Sequence, residues 1–280
     1  MWLVATIPEP HFNNRVELTK VIALVYVIDD IFDVFGSLEE LTLFTEAVER
    51  WDISIMDSLP TYMKICYHTL ESITNEISDL VCKESGWNPI NSLRKLWVLL
   101  LKAFLVEAKW FSSRITPESN EYLENAVIST GVPVVLLHFF FTVCNGEGKD
   151  TIAHDLENNQ IPDIISHAAS ILRLWDDLGT AKDDCQEGFD GSYIDYYMKE
   201  HDITLENARN ETKKMISSEW KKLNRSLLLP KNGDDIKFPL SLKKAALNTA
   251  RMTSIMYNYE DQRLPLLEDY ARLMLLEQIS

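Results

Sequence analysis

Two acidic clusters, far apart in the chain, have the residue types and spacing to do chemistry: Asp29-Asp30-Ile31-Phe32-Asp33, and Asp176-Asp177-Leu178-Gly179-Thr180 followed by Asp184. On a helix Asp29 and Asp33 lie one turn apart, and Asp176, Thr180 and Asp184 follow at i, i+4 and i+8. Each step of four residues overshoots a full turn by about 40°, so three such side chains stay within a narrow stripe. Hard oxygen ligands on facing helices suit Mg²⁺ or Mn²⁺. Either cluster alone also reads as a solvated helix end. Two clusters at this spacing, with a hydroxyl in register, point instead to a metal site.

The flanks sharpen that reading. Val21 to Val27 is apolar except for Tyr26, and Ile28 directly precedes Asp29; Ile171, Leu172, Leu174 and Trp175 precede Asp176. Carboxylates that close an apolar helix are expensive to bury unpaired, and a cation relieves that cost.

The elements that must position these residues read as helices throughout. Glycine and proline are scarce in the 280 residues, at 9 and 10, no run alternates as a strand, and apolar residues recur at helical spacing. The fold class is all-α, in one large domain without an obvious linker. Helices are predicted near 12–35, 38–50, 60–84, 90–113, 118–144, 163–185, 204–228, 239–258 and 264–277. Pro60 and Pro89 mark helix starts, and Pro133, after Ser129-Thr130-Gly131, predicts a kink or break. Asn145 to Pro162 and Gln186 to Ser192 are predicted to be mobile loops, which beside a metal site can act as lids.

The formal net charge of −16 argues against nucleic acid and anionic membranes. An anionic ligand would therefore need bound cations to invert the local potential. The longest membrane candidate, Val132 to Val143, is too short to span, and no leader segment opens the chain. Cys66, Cys82, Cys144 and Cys185 are scattered without paired spacing, which predicts reduced thiols in an intracellular protein.

The segment Val21–Gly36 resembles the aspartate-rich motif of plant class I terpene synthases, and Leu172–Asp184 resembles their second metal motif. Glu9 with Pro10, Trp51-Asp52, Leu59 to Lys64, and Glu107-Ala108-Lys109-Trp110-Phe111 also fit that family. Trp87 to Lys95, Leu105 to Phe111 and Asp190-Gly191-Ser192-Tyr193 resemble the subgroup making acyclic products such as linalool and nerolidol. The resemblance implies the isoprenoid synthase helical bundle, here expected to lack its first helices and the N-terminal helical domain, so that residues 1–280 form a single, incomplete catalytic domain. It implies three Mg²⁺ ions, with Mn²⁺ as the substitute. Asp29, Asp33, Asp176, Thr180 and Asp184 would be metal ligands, Asp30 an acceptor behind them, and Arg173 a contact to the diphosphate. Trp2, Ile22, Tyr26, Thr130, Leu172 and Tyr257 match positions that line the family's hydrocarbon pocket, although each also reads as an ordinary core residue.

Three departures from the family pattern stand out. Asp184 occupies a position that is usually Glu. The Arg-x-Arg motif that would precede Trp2 is absent, as are the upstream helices. No glycine follows Gly233, so the region after Tyr257 lacks the Gly-Asp-Gly loop of many cyclising relatives. The implied activity is that of a carbon–oxygen lyase converting geranyl or farnesyl diphosphate to an acyclic alcohol or alkene such as linalool, nerolidol or ocimene. The alternatives are a cyclising monoterpene synthase, a chain-elongating prenyltransferase and a non-catalytic remnant. The implied protein is a monomer whose partner is a small prenyl diphosphate, with no nucleic acid and no membrane span. It is cytoplasmic as given, or plastidic if a longer parent carries a transit segment.

Overall fold

In the computed structural model, residues 12–143, 148–180, 191–228 and 238–257 are described. Among them are eleven α-helices and no strand. They are α1 (Phe12–Asp30), α2 (Leu38–Arg50), α3 (Thr61–Ser85), α4 (Ile90–Ser113), α5 (Ser119–Ser129), α6 (Val132–Val143), α7 (Lys149–Glu157), α8 (Asp163–Thr180), α9 (Tyr193–His201), α10 (Leu205–Leu228) and α11 (Leu240–Met256). The chain is all-α, as its composition predicts.

Apolar stripes decide which faces go inward. In α4, Leu93, Leu96, Trp97, Leu100 and Leu101 are almost completely buried, and in α6 so are Leu136, Leu137, Phe139, Phe140 and Phe141. Helix α8 is central: it packs against α5, α6, α10 and α11, while α1 packs against α3 and α6.

The predicted long helix over 118–144 is interrupted, as Pro133 anticipates. Helix α5 ends at Ser129 and α6 begins at Val132, with Gly131 at φ +70° between them. A Cβ on Gly131 would sit 2.6 Å from Val25 Cγ1, so glycine serves both the turn and the approach of α1. The Thr130 hydroxyl donates to the Val127 carbonyl at 2.8 Å and accepts from the Val132 amide at 3.2 Å, which satisfies backbone groups at the break.

Four expectations need correction. The helix predicted over 12–35 is α-helical only to Asp30; Ile31–Phe35 form a π turn. The predicted loop Asn145–Pro162 contains α7, which two buried residues one turn apart, Ile152 and Leu156, anchor to the core. Two anchors in nine residues leave too faint a period to read. Helix α9 was likewise not predicted; Ser192 caps it, accepting from the Asp195 amide at 3.2 Å, and Tyr193, Ile194 and Tyr196 are buried. Finally, the stretch Ser119–Val143 does reach membrane-spanning length by length and composition, but 72% of its apolar window is buried inside the bundle. That burial makes it a core segment of the fold.

Cys66 is buried and Cys82 exposed, both as free thiols, and burial pushes the Cys66 thiol up to about 12. Cys144 and Cys185 lie outside the described residues, as do the predicted helix 264–277 and residues 186–190 of the second predicted loop.

Candidate metal centre

The first acidic cluster closes α1. Ile28 and Ile31 are buried, Asp29 is partly buried, and Asp30 and Asp33 are exposed. The second lies in the last described turns of α8, where Leu174 and Leu178 face inward and Asp176 is partly buried between them. Helix α1 carries no basic residue in its last turn. A helix C-terminus already holds partial negative charge, so the carboxylates closing α1 oppose the macrodipole.

Arg173 lies within electrostatic reach of both clusters. Its Nη1 donates to Asp176 Oδ2 at 3.3 Å and lies 3.5 Å from Asp177 Oδ1, with about 20% of the side chain exposed. The same guanidinium acts electrostatically on Asp29 of α1, on Asp33 of the π turn that continues it and on Glu107 of α4. Five carboxylates from three helices thus share the field of one cation. Burial, followed by the charge of Asp33, raises the Asp29 carboxyl to about 6 against the pull of Arg173. Burial also raises Asp33 and Asp176, again with Arg173 opposing. Carboxylates held this high are short of positive charge.

Glu107 is the functional candidate that sequence reasoning missed. It was noted only within a stretch of resemblance. In the structure it projects from α4 toward the α1 cluster, accepts from Ser129 Oγ at 2.7 Å and Asn125 Nδ2 at 3.0 Å, and interacts with Asp33. Its partners sit on α5, so no local spacing could reveal them. The available signal is a single carboxylate in the stretch Leu96–Trp110, whose other charged residues are Lys102 and Lys109.

Asp177 was also given no role of its own. It is 3% exposed. The Tyr193 amide donates to its Oδ2 at 2.8 Å and the Tyr122 hydroxyl to its Oδ1 at 3.3 Å. Burial raises its carboxyl to about 7 while Arg173 and the Tyr193 amide pull it down. It therefore ties the end of α8 to the start of α9.

The other predicted residues distribute as follows. The Tyr257 hydroxyl donates to the Asp176 carboxylate, and Tyr257 lies within electrostatic reach of Tyr26 and Arg173. It therefore meets the acidic end of the space as well as bordering α1. Tyr26 is 63% exposed, and Ile22 and Leu172 pack against the core. Thr180 is exposed and donates to the Asp176 carbonyl at 2.9 Å, leaving its oxygen lone pairs free to accept or ligate. Trp2 and Asp184 lie outside the described residues. A surface groove of about 650 Å³ between Tyr197, His201, Asn207 and Lys214 contains none of these side chains.

Hard oxygens and unmet negative charge fit a divalent cation. Among the described residues, however, no three carboxylates, imidazoles or thiols converge on one point. An ion held by either pair would draw further ligands from water or from a bound molecule. Arg173 Nε is buried without a hydrogen-bond partner, so one donor at this site is still unused.

Comparison with known proteins places this geometry. Residues 1–222 match the model of the terpene synthase family, metal binding domain. The chain belongs to the terpene synthase family. It is 47% identical to an (E)-nerolidol synthase of Cannabis sativa over 98% of this chain and 49% of that protein. With the chloroplastic S-(+)-linalool synthase of Arabidopsis thaliana it shares 48% over 94% of this chain and 46% of that one. A chloroplastic tricyclene synthase of Antirrhinum majus is 47% identical, over 94% of this chain and 45% of its own. Among solved structures, isoprene synthase from grey poplar leaves, in complex with three Mg²⁺ ions and dimethylallyl-S-thiolodiphosphate, superposes with a TM-score of 0.87. Its identity is 34%, covering 99% of this chain and 52% of that one. The chain spans about half the length of the curated relatives it matches.

Proposed function

We propose that this chain is the catalytic domain of a divalent-metal-dependent terpene synthase that ionises an allylic prenyl diphosphate, geranyl or farnesyl. The observation that carries the reading is the convergence of both acidic motifs on Arg173. Asp29 and Asp33 would hold ions on one side, with Glu107 beside them; Asp176, Thr180 and Asp184 would hold one on the other. Three Mg²⁺ ions is the number expected, with Mn²⁺ able to substitute. When bound, these ions offset the charge that develops on the departing diphosphate.

The chain's own groups supply the rest. Arg173 offers a planar fork and an unused Nε to phosphate oxygens. Asp30, exposed on the outer side of the α1 cluster, is an acceptor for water or for a basic group brought by the ligand. The carbon–oxygen bond breaks with its electron pair leaving on the diphosphate. The allylic cation then loses a proton to give an alkene such as ocimene, or takes up water and loses a proton to give linalool or nerolidol. Ile22, Leu172 and the ring faces of Tyr26 and Tyr257 offer it an environment without a strong nucleophile.

The acyclic outcome rests on the 47% and 48% identities to nerolidol and linalool synthases and on the missing glycines after Gly233. The tricyclene relative, at 47%, favours a second reading in which the cation cyclises. A plastid location is proposed from the relatives named chloroplastic. The test is incubation with geranyl and farnesyl diphosphates and Mg²⁺, with and without isopentenyl diphosphate, and analysis of volatiles. It is run on this chain and on any longer protein containing it. Linalool or nerolidol, lost in Asp29→Ala, is the expected result. Mainly cyclic products would refute the acyclic reading, and elongated diphosphates would refute the lyase.

A further inference from the structure

The π turn at the end of α1 shows how the first acidic pair is aimed. The Gly36 amide donates to the Ile31 carbonyl at 2.8 Å, a bond reaching five residues back. Asp29 lies before this turn and Asp33 inside it. A turn closed over five residues rotates less per residue than an α-helix. Four steps taken partly through it therefore overshoot by less than the α-helical value of about 40°. The turn brings Asp33 back toward the direction of Asp29.

What holds the turn is space at Gly36. Its φ of −85° and ψ of 137° would suit any residue, so conformational freedom is not the reason for glycine. A Cβ there would lie 2.5 Å from Leu41 Cδ2, 2.8 Å from Leu41 Cγ and 3.0 Å from the Ile31 carbonyl oxygen. Leu41 is 2% exposed and locked in the core, so it has little room to swing away. The Ile31 oxygen is the acceptor that closes the turn. Immediately downstream a capping box fixes the start of α2: Glu40 Oε2 accepts from the Ser37 amide at 2.9 Å and Ser37 Oγ from the Glu40 amide at 3.4 Å. The chain is thereby held on both sides of Gly36.

We infer that Gly36 is a positioning residue for the metal-binding pair: by seating the π turn against Leu41, it sets the direction of the Asp33 carboxylate. The inference rests on the metal reading given above. It predicts that adding one methyl group at residue 36, some distance from any ligand atom, weakens cation binding more than it weakens the fold. It also predicts that emptying the Leu41 side restores binding, because the remaining contact with the Ile31 oxygen needs only a small shift.

The experiment titrates Mn²⁺ alone into the full chain, reading free Mn²⁺ by electron paramagnetic resonance, with thermal unfolding measured in parallel. The unsubstituted chain is compared with Gly36→Ala, Leu41→Ala and the double variant. Gly36→Ala should weaken Mn²⁺ binding about tenfold, the low end for losing support behind a ligand. Leu41→Ala should bind nearly as the unsubstituted chain does while melting earlier, because it leaves a core cavity. The double variant should regain most of the affinity without regaining stability. Affinity that follows melting temperature across the set, or is unmoved by Gly36→Ala, overturns the inference alone. An unsubstituted chain that binds no Mn²⁺ overturns the metal reading with it.

Discussion

Arg173→Met tests whether one guanidinium balances both acidic clusters. Methionine keeps the apolar stem and removes the charge. Two short contacts disappear, to Asp176 at 3.3 Å and to Asp177 at 3.5 Å, together with the field on Asp29, Asp33 and Glu107. Breaking a buried charge pair by removing one partner costs about 3 to 5 kcal/mol. Asp177 keeps the Tyr193 amide and the Tyr122 hydroxyl, and Arg173 itself is about one-fifth exposed, so the low end applies. A loss of about 3 kcal/mol lowers the melting temperature of a chain this size by roughly 5 °C. Urea unfolding and thermal melts of parent and variant measure it. Millimolar Mg²⁺ should raise the variant's midpoint more than the parent's, with matched ionic strength from a sodium salt as the control. The deficit should also shrink as pH falls through the raised carboxylates, Asp29 at about 6 among them, because protonation removes the charge that Arg173 no longer balances. A variant as stable as the parent, or one that Mg²⁺ stabilises no more than it does the parent, would refute the shared-field argument.

Two further predictions concern the frame around the site. His138 is fully buried, its Nδ1–H donates to the Val134 carbonyl at 2.8 Å, and burial lowers its imidazole to about 4. Its folded value lies below the unfolded one, so the unfolded chain takes up the proton first and stability from this group falls as pH drops below about 6.5. Because the raised carboxylates act in the opposite direction, the measurement is the difference between parent and His138→Leu in urea unfolding; from pH 7.5 to 5 the parent's advantage should shrink by about 2 kcal/mol. A difference that stays flat with pH would sink the assignment. For Gly131→Ala, left-handed backbone and the 2.6 Å approach to Val25 together should cost roughly 3 kcal/mol, and Val25→Ala in the same chain should recover only the steric part. Full recovery would mean that the φ of +70° carries no penalty.

Local chemistry made much of this protein legible from its sequence. The spacing of four places Asp176 with Thr180 on one helix face because the backbone period is local, and it marks Asp29 and Asp33 as a pair although Asp33 falls in the π turn. Pro133 with Gly131 announced the break between α5 and α6, since ring and φ constraints act within a turn. The same residues carried the family resemblance. Tertiary structure decided the rest. Glu107 matters because Ser129 and Asn125 come to it from another helix, and Asp177 because the start of α9 returns to it. The π turn depends on Gly36 meeting Leu41, and α7 and α9 depend on a few buried anchors whose period is too short to register. Above all, the sequence shows two acidic clusters but not that they share one cation. That belongs to the packing of the core, which brings Arg173 of α8 within electrostatic reach of Asp29, Asp33 and Glu107.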